Sequence, residues 1–307
     1  MAASAPGKLI LFGEHAVVFG EPALSTAINL RAEVFARPHE EWLADGNAID
    51  EPRYRYVKAA IAKAHVREPM WIEIRSMLPS GAGLGSSAAV TVATLGALHG
   101  AANGLDLPAI AREAFDVEHE VQGRASPLDT STATAGGAVL VLREPRDQLL
   151  WSIERDARRW FLHRAAIPEI EFVIGNTGIS AATGPLVAKV KERVDRDPKA
   201  AQMIREIGQI TLDGLAALRR KDLTEAGRLM DRDHALLTQL GVGHPMLDRL
   251  IDAARPSSYG AKLTGAGGGG SIVALTDRPE KTADAIRAAG GKAFVVRPEP
   301  VGVKKLP

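Results

Sequence analysis

Short apolar or alternating runs bounded by turn residues dominate the first part of the chain, which predicts a strand-rich beginning. These predicted strands cover 8–12, 30–36 and 71–75. The small apolar run at 87–103 is too long for one strand, and Ser86 or Ser87 suits a helix N-cap, so we predict a buried helix there. Pro108 opens a second predicted helix, which ends near Gln122.

The second half of the chain is predicted to begin with helices and to end with strands. Two strands at 136–142 and 171–175 precede it, separated by the polar segment 143–169. Apolar residues at helical spacing then predict two amphipathic helices, over 204–218 and 223–237. The remaining pattern predicts a strand, a glycine cluster, a strand, a helix and a strand, at 261–264, 265–270, 272–275, 279–289 and 292–296.

This order of elements bears on fold class and on domain organisation. Because helices and strands do not alternate regularly, the pattern favours an α+β chain over a doubly wound parallel sheet. A length of 307 residues favours two modest domains or one large one, at about 150 residues per domain. We place the domain change in the polar segment, which gives expected domains at 1–155 and 156–307.

Composition and charge exclude several functional classes. Apolar residues make up 46% and charged residues 24% of the chain, as in ordinary soluble proteins. The net charge of +1 provides no long-range field that would gather nucleic acid or an anionic membrane. The absence of cysteine excludes disulfides, cysteine-ligated zinc and thiol nucleophiles. No signal-peptide pattern and no run of about 18 apolar residues occurs, so we predict a cytoplasmic protein.

The most informative segment, 79–89, places three glycines and two hydroxyls directly before the predicted buried helix. Glycines let a backbone approach a polyphosphate closely, and the N–H groups at a helix start favour negative charge. Serine hydroxyls can reach a phosphate oxygen or a magnesium ion. The segment is not a Walker A loop, because the pattern GxxxxGK[ST] is missing. It is not a dinucleotide fingerprint either, because Ser86 replaces the third glycine of GxGxxG. Taken alone, it predicts either a phosphate site or a tight turn before a helix.

Two further segments carry candidate chemistry. The cluster at 265–270 matches GxGxxG, but a strand follows it where a dinucleotide site needs a helix, so we reject dinucleotide binding. Ordering five glycines costs considerable backbone entropy, which favours a loop that closes over or beside a ligand. In the segment 5–20, Lys8, Glu14 and His15 are predicted to lie at the ends of one apolar strand, which suits a site at a sheet edge.

In this order and spacing, the runs APGKLILFGEHAVVFG at 5–20, PSGAGLGSSAA at 79–89 and KLTGAGGGG at 262–270 resemble the motifs of the GHMP kinase superfamily. The run GEHAVV at 13–18 is similar to that of the mevalonate kinases, of the compact archaeal or bacterial type. The resemblance implies a two-domain α+β fold with the active site in the cleft between the domains. It also implies phosphorylation of (R)-mevalonate at its 5-hydroxyl by ATP, within isoprenoid biosynthesis.

The resemblance assigns the phosphoryl-transfer roles. It implies Asp129 as the catalytic base and Lys8 as the cation that keeps Asp129 ionised and offsets phosphoryl charge. In relatives an acidic residue eleven positions before the catalytic aspartate binds Mg²⁺, and here that residue is Glu118. The second implied ligand is Ser87, with Ser86 as the less favoured alternative. The implied ATP-binding residues are Pro79, Gly81, Ala82, Gly83, Leu84, Gly85, Ser86, Ser87 and Ala88.

The acceptor side is assigned in the same way. The implied substrate-binding residues are Glu14, His15, Thr183 and Gly267. Because a carboxylate substrate repels Glu14, His15 or a nearby cation is expected to bind the mevalonate carboxylate, and Glu14 is expected to bind a hydroxyl or to make a supporting contact. Gly184 follows Thr183 where many relatives have lysine, and Arg124 stands where small or polar residues are usual. A homodimer is compatible with the resemblance.

Three other functions are open to the same sequence. A phosphomevalonate kinase, or another small-alcohol kinase of this fold, would share every phosphate-binding residue. A catalytically silent binding protein would not need the combination of Lys8, Ser87, Glu118 and Asp129. A nucleic-acid-binding module is opposed by the neutral charge and by an aromatic content of only 5%.

Overall fold

The computed structural model describes residues 1–79, 81–99, 104–123, 125–180 and 183–307, except the side chain of Thr183. The first part of the chain forms β1 (Ala2–Phe12), β2 (Ala23–Pro38), β3 (Leu43–Ala44), β4 (Asn47–Ala48), α1 (Arg55–Lys63), β5 (Met70–Ser76), α2 (Ser86–His99), α3 (Leu107–Gln122), α4 (Leu128–Ala135), β6 (Ala138–Leu142), β7 (Leu149–Arg155) and β8 (Arg158–Ala165). The second part forms β9 (Glu171–Asn176), α5 (Thr183–Arg196), α6 (Pro198–Arg219), α7 (Leu223–Gln239), α8 (Pro245–Ala254), β10 (Gly260–Thr264), β11 (Ser271–Thr276), α9 (Pro279–Ala288), β12 (Lys292–Val296) and β13 (Lys304–Lys305).

A large sheet organises the first part of the chain. Among the described residues it has nine strands, in the order β4-β3-β5-β2-β6-β8-β7, and β1 pairs antiparallel with both β2 and β13. The helix α2 packs against β1 and β2 and is enclosed by α1, α3 and α4. Its residues from Thr91 to Leu98 are all buried, as expected of a helix that is apolar all round. A helix held on every side gives the glycine loop before it a rigid support.

A smaller sheet organises the second part. It has the order β10-β11-β9-β12, with every pair antiparallel. Helices α7, α8 and α9 pack on this sheet, while α6 packs against β1 of the large sheet. At that contact Gly214 lies so close to the ring of Phe12 that a Cβ would overlap it. The close approach brings the second part of the chain against the strand that carries Lys8.

Most of the predicted elements are confirmed, with longer strands at the beginning. The predicted helices correspond to α2, α3, α6, α7 and α9, and the predicted strands to β1, β2, β5, β6, β9, β10, β11 and β12. β1 begins at Ala2 rather than at Lys8, so Lys8 lies inside the strand and not at its end. None of the helices in the described ranges combines the length and the apolar character that crossing a bilayer requires.

A hairpin occupies the polar segment 143–169, for which no strand is predicted from the sequence. β7 and β8 pair antiparallel, and β8 continues the large sheet through β6. Alternate residues of the hairpin are buried, namely Trp151, Ile153, Trp160 and Leu162. The expected domain boundary between 155 and 156 falls at the hairpin turn, where Asp156 and Ala157 have φ of 51° and 60°. The division of the chain into domains stays a prediction.

The segment 297–305 returns from the second part of the chain to the large sheet. β13 pairs with β1, where Lys305 lies opposite Ala3. The Val303 amide donates to the Thr134 carbonyl at 3.1 Å, and the Gly137 amide donates to the Glu299 carbonyl at 2.7 Å. The Val303 side chain is buried in the core beneath α2. The large sheet therefore contains residues from both ends of the described chain.

Candidate active site

The three motif segments of the sequence meet in one cavity of about 1190 Å³. Its walls are formed by β1, the loop 81–85 with the start of α2, the ends of α3 and α4 that face each other, and the loop 265–270. Segments that are more than 250 residues apart in sequence thus surround a single space. A cavity of this size is ample for two small substrates side by side.

The loop before α2 requires its glycines for two separate reasons. Gly81, Gly83 and Gly85 have φ of 69°, 73° and 72°, a left-handed conformation that costs other residues free energy. A Cβ on Gly85 would also overlap the Lys8 side chain, and one on Gly83 would press on the Thr264 carbonyl. The Lys8 amide donates to the Leu84 carbonyl at 2.9 Å, which ties the loop to β1. The N-terminus of α2 consequently stands at the cavity wall, as an anion site requires.

Lys8 and Asp129 form an ion pair inside this cavity. Lys8 Nζ lies 3.0 Å from Asp129 Oδ2 and donates to the Gly83 carbonyl at 3.1 Å. Asp129 lies in the first turn of α4, where the helix dipole favours a carboxylate. The Asp129 side chain is 29% exposed, against 3% for Lys8. The carboxylate can therefore reach a ligand in the cavity, and the largely buried Lys8 side chain forms part of the same cavity wall.

Glu118 lies at the end of α3 with Ser87 beside it. Ser87 Oγ donates to Glu118 Oε1 at 3.2 Å, and Gln122 Nε2 donates to the same oxygen at 3.4 Å. Burial, and then the charge of Asp129, raises the pKa of Glu118 to about 8, against the opposing effects of Lys8 and Ser87. A cation bound beside Glu118 would remove this penalty, so the site has the chemistry of a cation ligand.

The donor set around Glu118 suits a metal that is held mainly by its substrate. No group of three or more His, Cys, Asp or Glu side chains in the described part of the chain is arranged to hold a metal ion. One carboxylate and one hydroxyl, with phosphate oxygens and water completing the shell, are the usual ligands of Mg²⁺ in phosphoryl-transfer sites. Ser87 and Glu118 fit that arrangement.

His15 is held in a conformation that fixes its tautomer. Its φ is 60°, and it precedes the one-turn 3₁₀ helix Ala16–Phe19. His15 Nε2 lies 2.9 Å from the Ala266 carbonyl, and since a carbonyl can only accept, Nε2 carries the proton. Burial lowers the pKa of His15, so the ring is neutral near pH 7. Nδ1 is then a buried acceptor, and it has no hydrogen-bond partner among the described residues.

Glu14 belongs to a buried charge cluster that the sequence does not reveal. Its Oε1 accepts a hydrogen bond from Lys262 Nζ, which also lies 3.3 Å from Asp233 Oδ2. All three side chains are fully buried. The sequence leads us to expect Glu14 to bind a substrate hydroxyl or to make a supporting contact. Its carboxylate is already paired with Lys262, which favours the supporting contact. The only sequence signal for this cluster is a lysine inside an otherwise apolar buried strand.

The glycine loop 265–270 is anchored to the segment between α7 and α8. Gly267 has φ of 82°, and a Cβ there would overlap the Val242 carbonyl, to which the Gly268 amide donates at 2.8 Å. Gly267 lines the cavity. Thr183 is the first residue of α5, but its side chain and Arg124 lie outside the described part of the chain.

Two arginines that sequence reasoning missed line the cavity near the His15 segment. Arg158 Nη1 donates to the Val18 carbonyl at 2.9 Å, and Arg155 Nη1 pairs with Asp116 Oδ1 at 2.5 Å. Both belong to the β7–β8 hairpin, whose strands are themselves absent from the sequence prediction. The hairpin thus contributes two guanidinium groups to the cavity wall, together with the Asp156 carboxylate of its turn.

Comparison with known proteins agrees with this architecture. The family model described as "GHMP kinases N terminal domain" matches residues 54–137, and "GHMP kinases C terminal" matches residues 215–295. A mevalonate kinase of Archaeoglobus fulgidus is 36% identical, with 99% of each chain covered. The matched residues include α2, α3 and α4 in the first part and β10 and β11 in the second.

Solved structures extend the similarity to the whole fold. The Methanococcus jannaschii mevalonate kinase superimposes with a TM-score of 0.79 at 28% identity, covering 97% of this chain and 98% of that one. The L. major mevalonate kinase in complex with R-mevalonate has a TM-score of 0.81 at 25% identity, covering 97% and 96%. From the two family models and the full-length similarity, we conclude that the chain belongs to the GHMP kinase family.

Proposed function

We propose that this protein is a mevalonate kinase, which transfers the γ-phosphoryl group of ATP to the 5-hydroxyl of (R)-mevalonate. The observation that carries the proposal is the Lys8–Asp129 pair, which stands between the glycine loop before α2 and the His15 turn. One side of the pair is built for phosphates and the other for a small polar acceptor. The mevalonate kinases that share the full length of this chain support the choice of acceptor.

The phosphate side comprises the loop from Pro79 to Ala88. The backbone N–H groups at the start of α2 would bind the triphosphate, with the helix dipole adding to the attraction. Lys8 would place its ammonium near the transferred group, where charge spreads over the phosphoryl oxygens in the transition state. ATP is thus the co-substrate and not a resident cofactor.

Ser87 and Glu118 are the residues that would hold Mg²⁺ in this site. An ion held there with ATP would neutralise negative charge that develops on the phosphate oxygens. Glu118 is suited to this role because its carboxylate is buried and Lys8 is the one cation among the groups that shift its pKa. In the ligand-free protein the raised pKa leaves this carboxyl largely protonated at neutral pH, so nucleotide and ion binding would release its proton.

Asp129 would orient the 5-hydroxyl and accept its proton. The hydroxyl oxygen forms a bond to the γ-phosphorus as the bond from that phosphorus to the β,γ-bridging oxygen breaks, and ADP leaves. In a loose transition state the enzyme gains most from positioning the two reactants in line. The ion pair to Lys8 fixes the direction of the Asp129 carboxylate and so contributes to that positioning.

The tautomer of His15 favours a different division of the acceptor contacts from the one expected from the sequence. A neutral imidazole whose Nε2–H is already donated can only accept at Nδ1, so it suits a hydroxyl rather than a carboxylate. We assign the 3-hydroxyl of mevalonate to Nδ1, since the 5-hydroxyl must reach Asp129. Nδ1 is closed to solvent in the ligand-free structure, so this contact requires the His15 turn to shift when mevalonate binds. Glu14 then acts through Lys262 and not by direct contact with substrate.

The mevalonate carboxylate is assigned to Arg158. This side chain lines the cavity near the His15 turn and uses Nη1 on the Val18 carbonyl, which leaves Nε and Nη2 for a bidentate contact. Replacing Arg158 with alanine should raise the KM for mevalonate at least about tenfold and leave the KM for ATP within about twofold. Arg159→Ala is the matched control, because Arg159 pairs with Glu154 and does not line the cavity.

Three further features belong to the proposal. The cavity would be a cleft between domains at 1–155 and 156–307, with Thr183 and Gly267 contributing to the acceptor side from the second. The protein would work in the cytoplasm, with no nucleic acid or membrane partner. It would form a homodimer, which light scattering coupled to gel filtration tests directly.

The function is tested by measuring ADP release with ATP and each of four acceptors: mevalonate, 5-phosphomevalonate, homoserine and galactose. We expect kcat/KM for mevalonate to exceed that for phosphomevalonate at least about tenfold, and mass spectrometry to identify 5-phosphomevalonate as the product. Equal or better use of phosphomevalonate would assign the protein to the phosphomevalonate kinases. Nucleotide binding without turnover of any acceptor would indicate a binding protein.

A further inference from the structure

The buried cluster of Glu14, Lys262 and Asp233 joins three elements of the fold. Glu14 follows β1, Lys262 lies in the middle of β10, and Asp233 lies in α7. Lys262 Nζ donates to Glu14 Oε1 and, at 2.9 Å, to the Leu263 carbonyl, and it lies 3.3 Å from Asp233 Oδ2. Neither the catalytic pair nor the phosphate loop involves any of these three residues, and the only role assigned to them so far is that Glu14 acts through Lys262.

The fold brings the cluster together through two close contacts. α7 meets β10 where Gly227 faces Gly260, and a Cβ on either glycine would overlap the backbone of the other element. At the other end of β10, Thr264 Oγ1 accepts from the Ile10 amide at 3.2 Å and donates to the Ile10 carbonyl at 3.1 Å. These contacts fix β10 between α7 and β1, with Lys262 at the centre.

Both ends of the cluster lead directly to the acceptor pocket. Glu14 is followed by His15, and Lys262 is followed four residues later by Ala266, whose carbonyl accepts the His15 Nε2–H. The cluster and the His15–Ala266 hydrogen bond therefore close a ring that passes through both parts of the chain. A shift of Lys262 relative to Glu14 would move the carbonyl away from the imidazole.

The charges of the cluster are not balanced. Two carboxylates face one ammonium without solvent, and Glu14 Oε2 and Asp233 Oδ1 have no hydrogen-bond partner within the described ranges. His15 and His234 are the other titratable groups against the cluster, and burial lowers the pKa of both, so they add no positive charge. Asp248 lies beyond, 3.2 Å from His234 Nε2.

A single shared proton would neutralise this arrangement. Burial, followed by the charge of Asp233, raises the pKa of Glu14 to about 7 despite the opposing charge of Lys262, and burial also raises the pKa of Asp233. A proton held by one of the two carboxylates balances the charge of the cluster. Ionisation of both carboxylates at higher pH would leave an uncompensated buried charge, which is unfavourable.

We propose that Lys262 and Asp233 are positioning residues of the acceptor pocket: Lys262 binds Glu14 and thereby sets the His15 imidazole against the Ala266 carbonyl. Asp233 orients Lys262 from α7 and makes the arrangement dependent on pH. The inference rests on the proposed function of His15 in binding mevalonate. Neither residue touches substrate, so each acts through His15.

The test combines steady-state kinetics with NMR of His15 in the full-length enzyme. Lys262→Met should raise the KM for mevalonate at least about tenfold while kcat and the KM for ATP change by less than about twofold. The hydrogen-bonded Nε2–H resonance of His15 should be lost in the same variant. Lys281→Met, at an exposed site on α9, is the matched control and should match wild type in both measurements.

Asp233→Asn keeps the shape of the side chain, so it tests the inference even where Lys262→Met does not fold. For wild type we expect the KM for mevalonate to rise above about pH 7 to 8. In Asp233→Asn the cluster is neutral whenever Glu14 is ionised, so this rise in KM should be abolished. Asp252→Asn, at an exposed site on α8, should keep the wild-type profile.

Two outcomes would overturn the inference. One is an unchanged His15 resonance and mevalonate KM in Lys262→Met; the other is identical pH profiles for Asp233→Asn and wild type. A wild-type enzyme that does not phosphorylate mevalonate would refute the proposed function alone. The NMR comparison uses ligand-free protein and decides the positioning role in that case as well.

Discussion

Lys8 and Asp129 join the two structural elements that the rest of the site depends on, the strand β1 and the first turn of α4, across 3.0 Å. Lys8 also holds the Gly83 carbonyl, so one ammonium orients both the base and the phosphate loop. Because Gly85 lies against the Lys8 side chain, any larger residue at 85 would displace that ammonium. The site therefore tolerates little change at three positions that are far apart in sequence.

Asp129→Asn should lower kcat by roughly 10²- to 10⁴-fold, the range typical of a positioned acid–base group, and leave ATP binding nearly unchanged. Single-turnover phosphorylation and calorimetric titration with a nucleotide analogue measure the two effects. Asp106→Asn is the control, since Asp106 caps α3 and asparagine caps equally well. Turnover close to wild type in Asp129→Asn would remove this carboxylate from the mechanism.

Glu118→Gln should raise the Mg²⁺ concentration needed for half-maximal activity at least about tenfold, because a neutral amide is a poorer ligand than a carboxylate. The KM for mevalonate should change little, since the acceptor pocket is untouched. The measurement is a Mg²⁺ titration at saturating ATP, with Glu120→Gln on the same helix as the control. Glu120 is exposed and pairs with Lys63, so its titration curve should overlay that of wild type. Identical curves for all three proteins would show that Glu118 does not bind the metal.

The contribution of Glu118 to the stability of the ligand-free protein should fall as pH rises from about 4.5 to about 8. In that window folded Glu118, whose pKa is raised from 4.5 to about 8, holds a proton that the unfolded chain has released. Since the folded state binds more protons, raising the pH favours unfolding. Glu14, with a pKa raised to about 7, adds to the same slope.

Urea unfolding at pH 5 and pH 8.5 measures this dependence. Between the two pH values Glu118→Gln should lose less stability, or gain more, than wild type. The slope that remains combines the raised pKa of Glu14 with the lowered pKa values of His15 and His234, which act in the opposite direction. Glu120→Gln, which removes an exposed carboxylate, serves again as the comparison. A slope in Glu118→Gln equal to that of wild type would mean that the Glu118 carboxyl titrates normally.

His15→Ala should lower kcat/KM for mevalonate by at least about tenfold and leave the KM for ATP unchanged. The assignment of Nδ1 to the 3-hydroxyl is tested by repeating the comparison with 3-deoxymevalonate. If Nδ1 accepts from that hydroxyl, wild type and His15→Ala should differ far less with the analogue, as in a double-mutant cycle. An equal loss with both acceptors would place the histidine elsewhere in the pocket.

The sequence predicts an element well where its apolar residues are regularly spaced. It predicts poorly the strands that form only because they pair with strands far away in the sequence. α6 and α7 are evident from their spacing, but Ala2 to Gly7 carry no strand pattern and are extended because β2 and β13 pair with them. The β7–β8 hairpin has alternating apolar residues at Trp151, Ile153, Trp160 and Leu162, hidden among charged neighbours. Of those neighbours Glu154 and Arg159 are exposed to solvent, whereas Arg155 and Arg158 line the cavity.

The candidate site shows the same division. Glycine loops and the Glu118–Asp129 spacing are local patterns and can be recognised from residues alone. The partner of Glu14 is 248 residues away, and no local pattern relates Glu14 to Lys262 or either of them to Asp233. Such a cluster becomes visible only when packing has removed water from all three side chains.

The return of residues 297–305 to β1 has a consequence for biosynthesis. A chain emerging from the ribosome completes every element of the smaller sheet before it makes β13, which pairs with β1 on the side opposite β2. Until then one edge of β1 and the space beneath α2 that Val303 fills are open to water. The first half therefore cannot mature as a finished unit ahead of the second, and removing 297–305 should leave the nascent N-terminal half a substrate for chaperones and proteases.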